Sequence, residues 1–155
     1  MPTSSVIIDD RLLVAQLTGV NVLGRSRAQV FTTTYWYYRA CRAAVLGASG
    51  QLSGPFEGLD NPDQSRAIAA ILQLPDRFGL PDPRPLVPVM VDIAGRHPRL
   101  NLMNLEAAAA ARHLSARVLL SPPAAAGVLA PVLDAEGIPW DTRDPDRTRS
   151  RSTTR

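Results

Sequence analysis

Ser5-Val-Ile-Ile-Asp9-Asp10-Arg11-Leu-Leu13 decides the fold. Ser5 to Ile8 is a short β-branched run that stops abruptly at two carboxylates, as a buried parallel strand does when it delivers polar groups to the edge of a sheet. Residues 11–18 then put Leu12, Leu13 and Leu17 on one helical face before Gly19. A strand followed directly by a helix opens an α/β chain.

Working outward, Thr32, Thr33 and Thr34 offer capping hydroxyls to a helix over 35–46. Residues 47–60 contain four glycines and are expected to be an exposed loop. Asn61-Pro-Asp-Gln64 combines a cap, a first-turn proline and a capping-box glutamine, predicting a helix that ends near Leu74. The proline-rich stretch 75–88 is expected to be an irregular connection, followed by a short helix over 89–94. The Ala-rich segment 102–114 is the strongest helix former, with Leu102, Leu105, Ala109 and Leu114 as its apolar stripe. It feeds a second strand at 117–121. A helix from Pro122 carries Val128, Leu129, Val132 and Leu133, with Pro131 either kinking it or sitting in the first turn of a restarted helix. Gly137 is its expected stop, and 138–140 a last short strand. From Asp141 to Arg155 no apolar residue occurs, so this tail is expected to be disordered and 1–140 to form one domain.

Composition bounds the function. With 155 residues and 45% hydrophobic content the chain can bury a core. All 17 basic residues are Arg, five of them beyond residue 141, so the net charge of +3 lies mostly in the tail. The body lacks the broad basic footprint of a strong nucleic-acid binder. Cys41 is the only cysteine, which excludes an internal disulfide and suits a reducing cytoplasm; it is expected to be a small buried hydrophobe. His97 and His113 show no shared metal spacing. Gly47-Ala-Ser-Gly50 lacks the lysine of a phosphate-binding loop. Neither a signal peptide nor a membrane-spanning run is apparent, so a cytoplasmic protein is expected.

Three stretches, Val6 to Leu13, Phe31-Thr-Thr-Thr34, and Leu100-Asn-Leu-Met-Asn104-Leu-Glu106-Ala-Ala leading to Val118-Leu-Leu-Ser121, resemble the PIN nuclease family. The resemblance implies a three-layer α/β/α domain with a mostly parallel central sheet. It also implies three or four carboxylates binding Mg²⁺ or Mn²⁺, the metal activating water against an RNA phosphodiester. Asp9 matches the first family acid, with Asp10 beside it. Where the family carries a glutamate in the helix after the threonines, this sequence has Arg39. Asn104 stands at the third position, Glu106 lies two residues on, about 200° around a helix, and Ser121-Pro122-Pro123 supplies no fourth acid. A cation among so few acids disfavours Mg²⁺ by roughly 4 kcal/mol at 4 Å with an effective dielectric constant of 20.

The expected protein is therefore a catalytically degenerate, homodimeric PIN-like module, with Asp9, Asp10, Asn104 and Glu106 vestigial and Asp9 holding Mg²⁺ weakly if at all. Arg39, if it enters the pocket, pairs with Asp9 or Asp10. A register bringing Asp9, Asp10, Glu106 and Asp92 together would restore a Mg²⁺-dependent toxin-type endoribonuclease. Tyr35, Tyr38, Arg39 and Arg42 share a helical face that, with Arg11, is the candidate surface for RNA or DNA; Trp36 and Tyr37 belong to the core or to a homodimer interface. An antitoxin-like or regulatory protein partner, or a purely structural interaction role, are the other classes.

Overall fold

The computed structural model describes residues 3–46 and 61–152. Five parallel strands form one sheet: β1 (Ser5–Ile8), β2 (Gln29–Phe31), β3 (Phe78–Gly79), β4 (Arg117–Leu120) and β5 (Trp140–Thr142), in the order β3-β2-β1-β4-β5. The helices are α1 (Asp10–Leu17), α2 (Thr34–Leu46), α3 (Asn61–Leu72), α4 (Pro83–Arg96), α5 (Leu102–Leu114), α6 (Pro122–Ala125), α7 (Leu129–Ala135) and α8 (Pro145–Ser152). Among the described residues no helix is long and apolar enough to cross a membrane.

Alternation along the central strands separates two apolar layers. Val6, Ile8 and Leu119 pack with Leu12, Leu13, Ala40 and Ile71 of α1, α2 and α3. Ile7, Val118 and Leu120 face the other way, onto Leu86 and Ile93 of α4, the alanines of α5, and Leu129 and Leu133 of α7. The result is the three-layer α/β/α arrangement. Trp36 reaches past the sheet from α2 into the second layer. Cys41 is half-buried, not fully enclosed.

Helix α5 differs from the amphipathic stripe expected of it. Ala107 to Ala111 are all buried, because the helix lies between the sheet and α4, while Leu102 is 58% exposed. Alanine around the whole circumference lets the neighbours approach closely without cost in helix propensity.

Several elements depart from expectation. Strands β2 and β3, of three and two residues, were not anticipated, being too short to show a period. At Gly79 an added Cβ would lie 2.4 Å from the Phe31 ring, so only glycine lets β3 pair there. Helix α4 runs over 14 residues where an irregular connection and a short helix were expected. Asp82 caps it through the Arg84 N–H at 3.0 Å, and Pro83 and Pro85 fall in the first turn, whose amides have no intrahelical acceptor; only Pro88 costs a bond. Pro131 likewise lies in the first turn of a restarted helix, and Gly137, at φ +67°, follows the α7 C-cap.

The boundary at residue 140 is too early. Asp141 and Thr142 pair with Leu119 and Leu120, and the Arg143 N–H donates to the Leu120 carbonyl at 2.9 Å. Backbone pairing at a sheet edge recruits residues whatever their side chains. Residues 145–152 are helical instead of disordered, starting with proline and Asp146 in the first turn. The expected loop over 47–60 and the end of the tail at 153–155 lie outside the described residues.

Where α5 and α7 end, Glu136 joins three helices. Its side chain is 5% exposed and accepts from Arg96 Nε at 2.9 Å, from Arg112 and, at 2.8 Å, faces His97 Nε2; Asp92 binds Arg96 and Arg112 beside it. The Arg96 guanidinium, followed by His97 and Arg112, pulls the Glu136 carboxyl down to about 2 from 4.5. A carboxyl lowered by folding stabilises above its unfolded value and loses that contribution as pH falls through the folded one. Glu136→Gln should therefore lower stability by about 1.5–3 kcal/mol at pH 7. Thermal melts should show the deficit shrinking between pH 4.5 and 2; a constant deficit would place the loss in packing, not charge.

Candidate functional site

Strands β1 and β4 are neighbours, and the chain leaves them toward opposite ends of the sheet. Such a switch in strand order opens a crevice beyond their carboxyl ends. Asp9 and Asp10 follow β1, Thr32 and Thr33 follow β2, and Ser121 follows β4, so the topology gathers these polar residues at one edge. All five are buried.

Asp9 is consumed by the fold. Its Oδ1 accepts the Leu12 N–H at 2.9 Å, capping α1, and its Oδ2 accepts both the Ser121 N–H at 2.7 Å and the Ser121 hydroxyl at 2.6 Å. It is not among the residues lining the cavity described below, and its oxygens carry three donors. Burial raises the Asp9 carboxyl from 3.8 to about 6, opposed by the hydrogen bonds from Ser121 and Leu12.

Glu106 is consumed likewise. Its Oε1 accepts the Thr34 N–H and its Oε2 the Tyr35 N–H, both at 3.0 Å, so one carboxylate of α5 caps α2 from 72 and 71 residues away. Thr33 Oγ1 adds a third bond, accepting the Trp36 N–H at 3.2 Å, while the Thr32 hydroxyl donates to the Ile8 carbonyl. A carboxylate over exposed helix amides also meets the positive end of the helix dipole. Glu106 thus caps α2.

Asp10, Arg39 and Asn104 do meet. They line a cavity of about 370 Å³ whose remaining polar wall is Arg11 and Ser121 and whose apolar wall includes Trp36, Met103, Val128 and Leu129. Arg39 Nε lies 3.1 Å from Asp10 Oδ2 as an ion pair without hydrogen-bond geometry, and that buried oxygen accepts no hydrogen bond among the described residues. Burial raises the Asp10 carboxyl above its ordinary value and Arg39 opposes the rise. Arg39 also points Nη1 at Met103 Sδ, 3.4 Å away.

Asp92 lies elsewhere, exposed in the Glu136 network, so the set Asp9, Asp10, Glu106 and Asp92 does not converge. Among the described residues no group of three or more acidic, histidine or cysteine side chains is placed to hold a metal. On α2, Tyr35 is 41% and Tyr38 60% exposed, and Arg42 is exposed beside them, whereas Trp36 is core and the Tyr37 hydroxyl donates to the Leu72 carbonyl. Sequence reasoning missed Ser121 as the partner of Asp9; once β1 and β4 are known to be neighbours, a serine closing one beside an aspartate closing the other is the sign.

Replacing Asp9 by Asn keeps the shape but turns an NH₂ toward Leu12 N–H or the Ser121 donors. Asp9→Asn should cost about 1–3 kcal/mol. A buried acid whose value is raised from 3.8 to about 6 favours folding most below 3.8, and that contribution falls as pH rises through 6. The gap between native protein and variant should hence narrow from pH 4 to pH 7 in denaturant titrations. A gap that widens over that range would contradict the assignment.

No protein-family model and no curated protein matches the chain.

Proposed function

We propose that this chain is a catalytically degenerate PIN-like module, acting in the cytoplasm, whose work is to bind single-stranded RNA. One observation carries the reading: a guanidinium, Arg39, stands 3.1 Å from Asp10 at the carboxyl edge of the sheet, where a nuclease of this type needs a metal. The landmarks of the resemblance support it. Strand β1 ends in Asp9 and Asp10, threonines precede α2, and Asn104 shares a cavity with Asp10.

The donor set does not fit Mg²⁺. Hard divalent cations take several oxygen ligands, carboxylates foremost. Asp9 and Glu106 have spent their oxygens on N–H and O–H donors, Asn104 is neutral, and Asp10 already faces a cation. What the edge offers instead is Arg39 and Arg11 for phosphate, with Tyr35, Tyr38 and Arg42 on the adjoining exposed face for stacking and further phosphate contact. Arginine recognises phosphate through its planar fork, and aromatic faces stack on unpaired bases of any sequence.

Fluorescence anisotropy with a short single-stranded RNA should show binding that weakens with salt, persists in EDTA and leaves the RNA intact. Tyr38→Ala should weaken it by about 1–3 kcal/mol, and Arg42→Ala should reduce the salt slope. Sub-millimolar affinity for Mg²⁺ or Mn²⁺ that disappears in Asp10→Asn, with cleavage of the RNA, would restore the endoribonuclease reading. Absence of RNA binding at low salt would leave a regulatory protein as the partner. Arg39→Glu combined with Asn104→Asp should create metal affinity that the native chain lacks.

A further inference from the structure

We propose that the cavity beyond the carboxyl ends of β1 and β4 is a base pocket that takes one unpaired guanine nucleotide, its Watson–Crick edge on Asp10 and Asn104 and its phosphate on Arg39 and Arg11. The proposal rests on the RNA-binding reading and narrows it to one base. Size comes first. At about 370 Å³ the cavity is at the lower end of the roughly 300–1,000 Å³ range of ligand sites, large enough for a single nucleotide and too small for a strand or duplex.

The walls give the chemistry. The lining combines the apolar Trp36, Met103, Val128 and Leu129 with the polar Asp10, Arg11, Arg39 and Asn104. A planar heteroaromatic ring with a hydrogen-bonding edge matches that combination. Val128 is 62% exposed at the rim, an apolar surface that a base would cover.

The polar wall then selects among bases. A carboxylate accepts and cannot donate, and Asp10 Oδ2 is a buried acceptor without a hydrogen bond among the described residues. Of the common bases guanine alone presents two adjacent N–H donors, N1–H and the 2-amino group, a pair that a carboxylate accepts; the Asp10 carboxyl already takes the Arg11 backbone N–H, and its Oδ2 is open. Its neighbouring O6 requires a donor, which the Asn104 amide supplies. Uracil and adenine offer one donor at this edge, and cytosine offers the reverse pattern.

Arg39 links the two halves of the recognition. In the free chain it covers Asp10 Oδ2, and its own side chain is 36% exposed. A phosphate at the cavity mouth draws the guanidinium outward, and the uncovered carboxylate takes the guanine N–H donors in charge-assisted bonds. Phosphate and base thereby bind together.

The test is a calorimetric panel on the full chain with guanosine, adenosine, cytidine, uridine and inosine 5′-monophosphates and with inorganic phosphate. Guanosine monophosphate should bind about tenfold or more tighter than the other common nucleotides, and inosine monophosphate, lacking the 2-amino donor, should fall between. Asp10→Asn should erase the preference; should that variant fail to fold, the guanosine to inosine difference in the native chain carries the same information. Equal affinity for all nucleotides, or for phosphate alone, overturns the base pocket. Binding of an RNA oligomer without guanine preference overturns it and leaves the RNA-binding reading standing, whereas binding of neither RNA nor nucleotide removes both.

Discussion

A carboxylate with no solvent access, Asp9, holds the two halves of this sheet in place. Strands β1 and β4 are hydrogen-bonded along their length, but beyond Ile8 and Leu120 the chain turns away in opposite directions into α1 and α6. Asp9 bridges the divergence, with Leu12 of one helix and Ser121 at the start of the other donating to its two oxygens. Burying a charge is costly unless it is fully hydrogen-bonded, and the price is visible in the raised protonation value of this acid. What the fold gains is a fixed crevice: Asp10, next in the chain, is held at its floor.

The same logic governs the other acids of that edge. Glu106 satisfies two amides at the start of α2, which sets the direction in which Tyr35, Tyr38 and Arg39 leave the helix. Helix α2 therefore takes its bearing from α5, across the layer boundary, and Trp36 follows it into the second core. Each acid at the carboxyl end of β1 and on α5 has an internal partner, neutral N–H and O–H donors for Asp9 and Glu106 and the Arg39 guanidinium for Asp10. The polar residues lining the cavity are a carboxylate, two guanidiniums, an amide and the Ser121 hydroxyl, a combination suited to recognition by hydrogen bonds.

How much of this is legible in the sequence depends on the range of the interaction concerned. Strand β1, the threonine-capped α2, the Ala-rich α5 and strand β4 declare themselves through local composition and period, which gives an α/β chain; the three layers and the parallel sheet were implied by the family resemblance. Helix α4 does not, because proline normally argues against a helix and its tolerance in the first turn depends on where Asp82 places the cap. Strands β2 and β3 are too short for a period and exist because a neighbouring strand offers them a ladder, while β5 was expected two residues early, at 138–140. At the site, the family resemblance placed Arg39 where a glutamate is usual and left its partner as Asp9 or Asp10; the partner is Asp10. The roles of Asp9 and Glu106 were not, since the donors that occupy them come from 112 and from 71 and 72 residues away, and no local pattern announces which of several acids will be spent on the backbone.

The pairing of Asn104 with Arg39 has a common electrostatic cause. An aspartate at 104 would put a second carboxylate on the cavity wall that holds Asp10, and two like charges in a poorly solvated site force one of them to hold a proton or to recruit a cation. With asparagine at 104 and arginine at 39 the cavity carries one buried negative charge, Asp10, with the Arg39 counter-charge beside it and Arg11 also in the lining. Arg39 is also the movable member of the pair: it is the partly exposed side chain of the two, so a ligand anion competes for it at the surface while Asp10 stays fixed by the backbone beside Asp9. A site of this kind exchanges an internal ion pair for an external one, and its selectivity is set by whatever the uncovered carboxylate accepts.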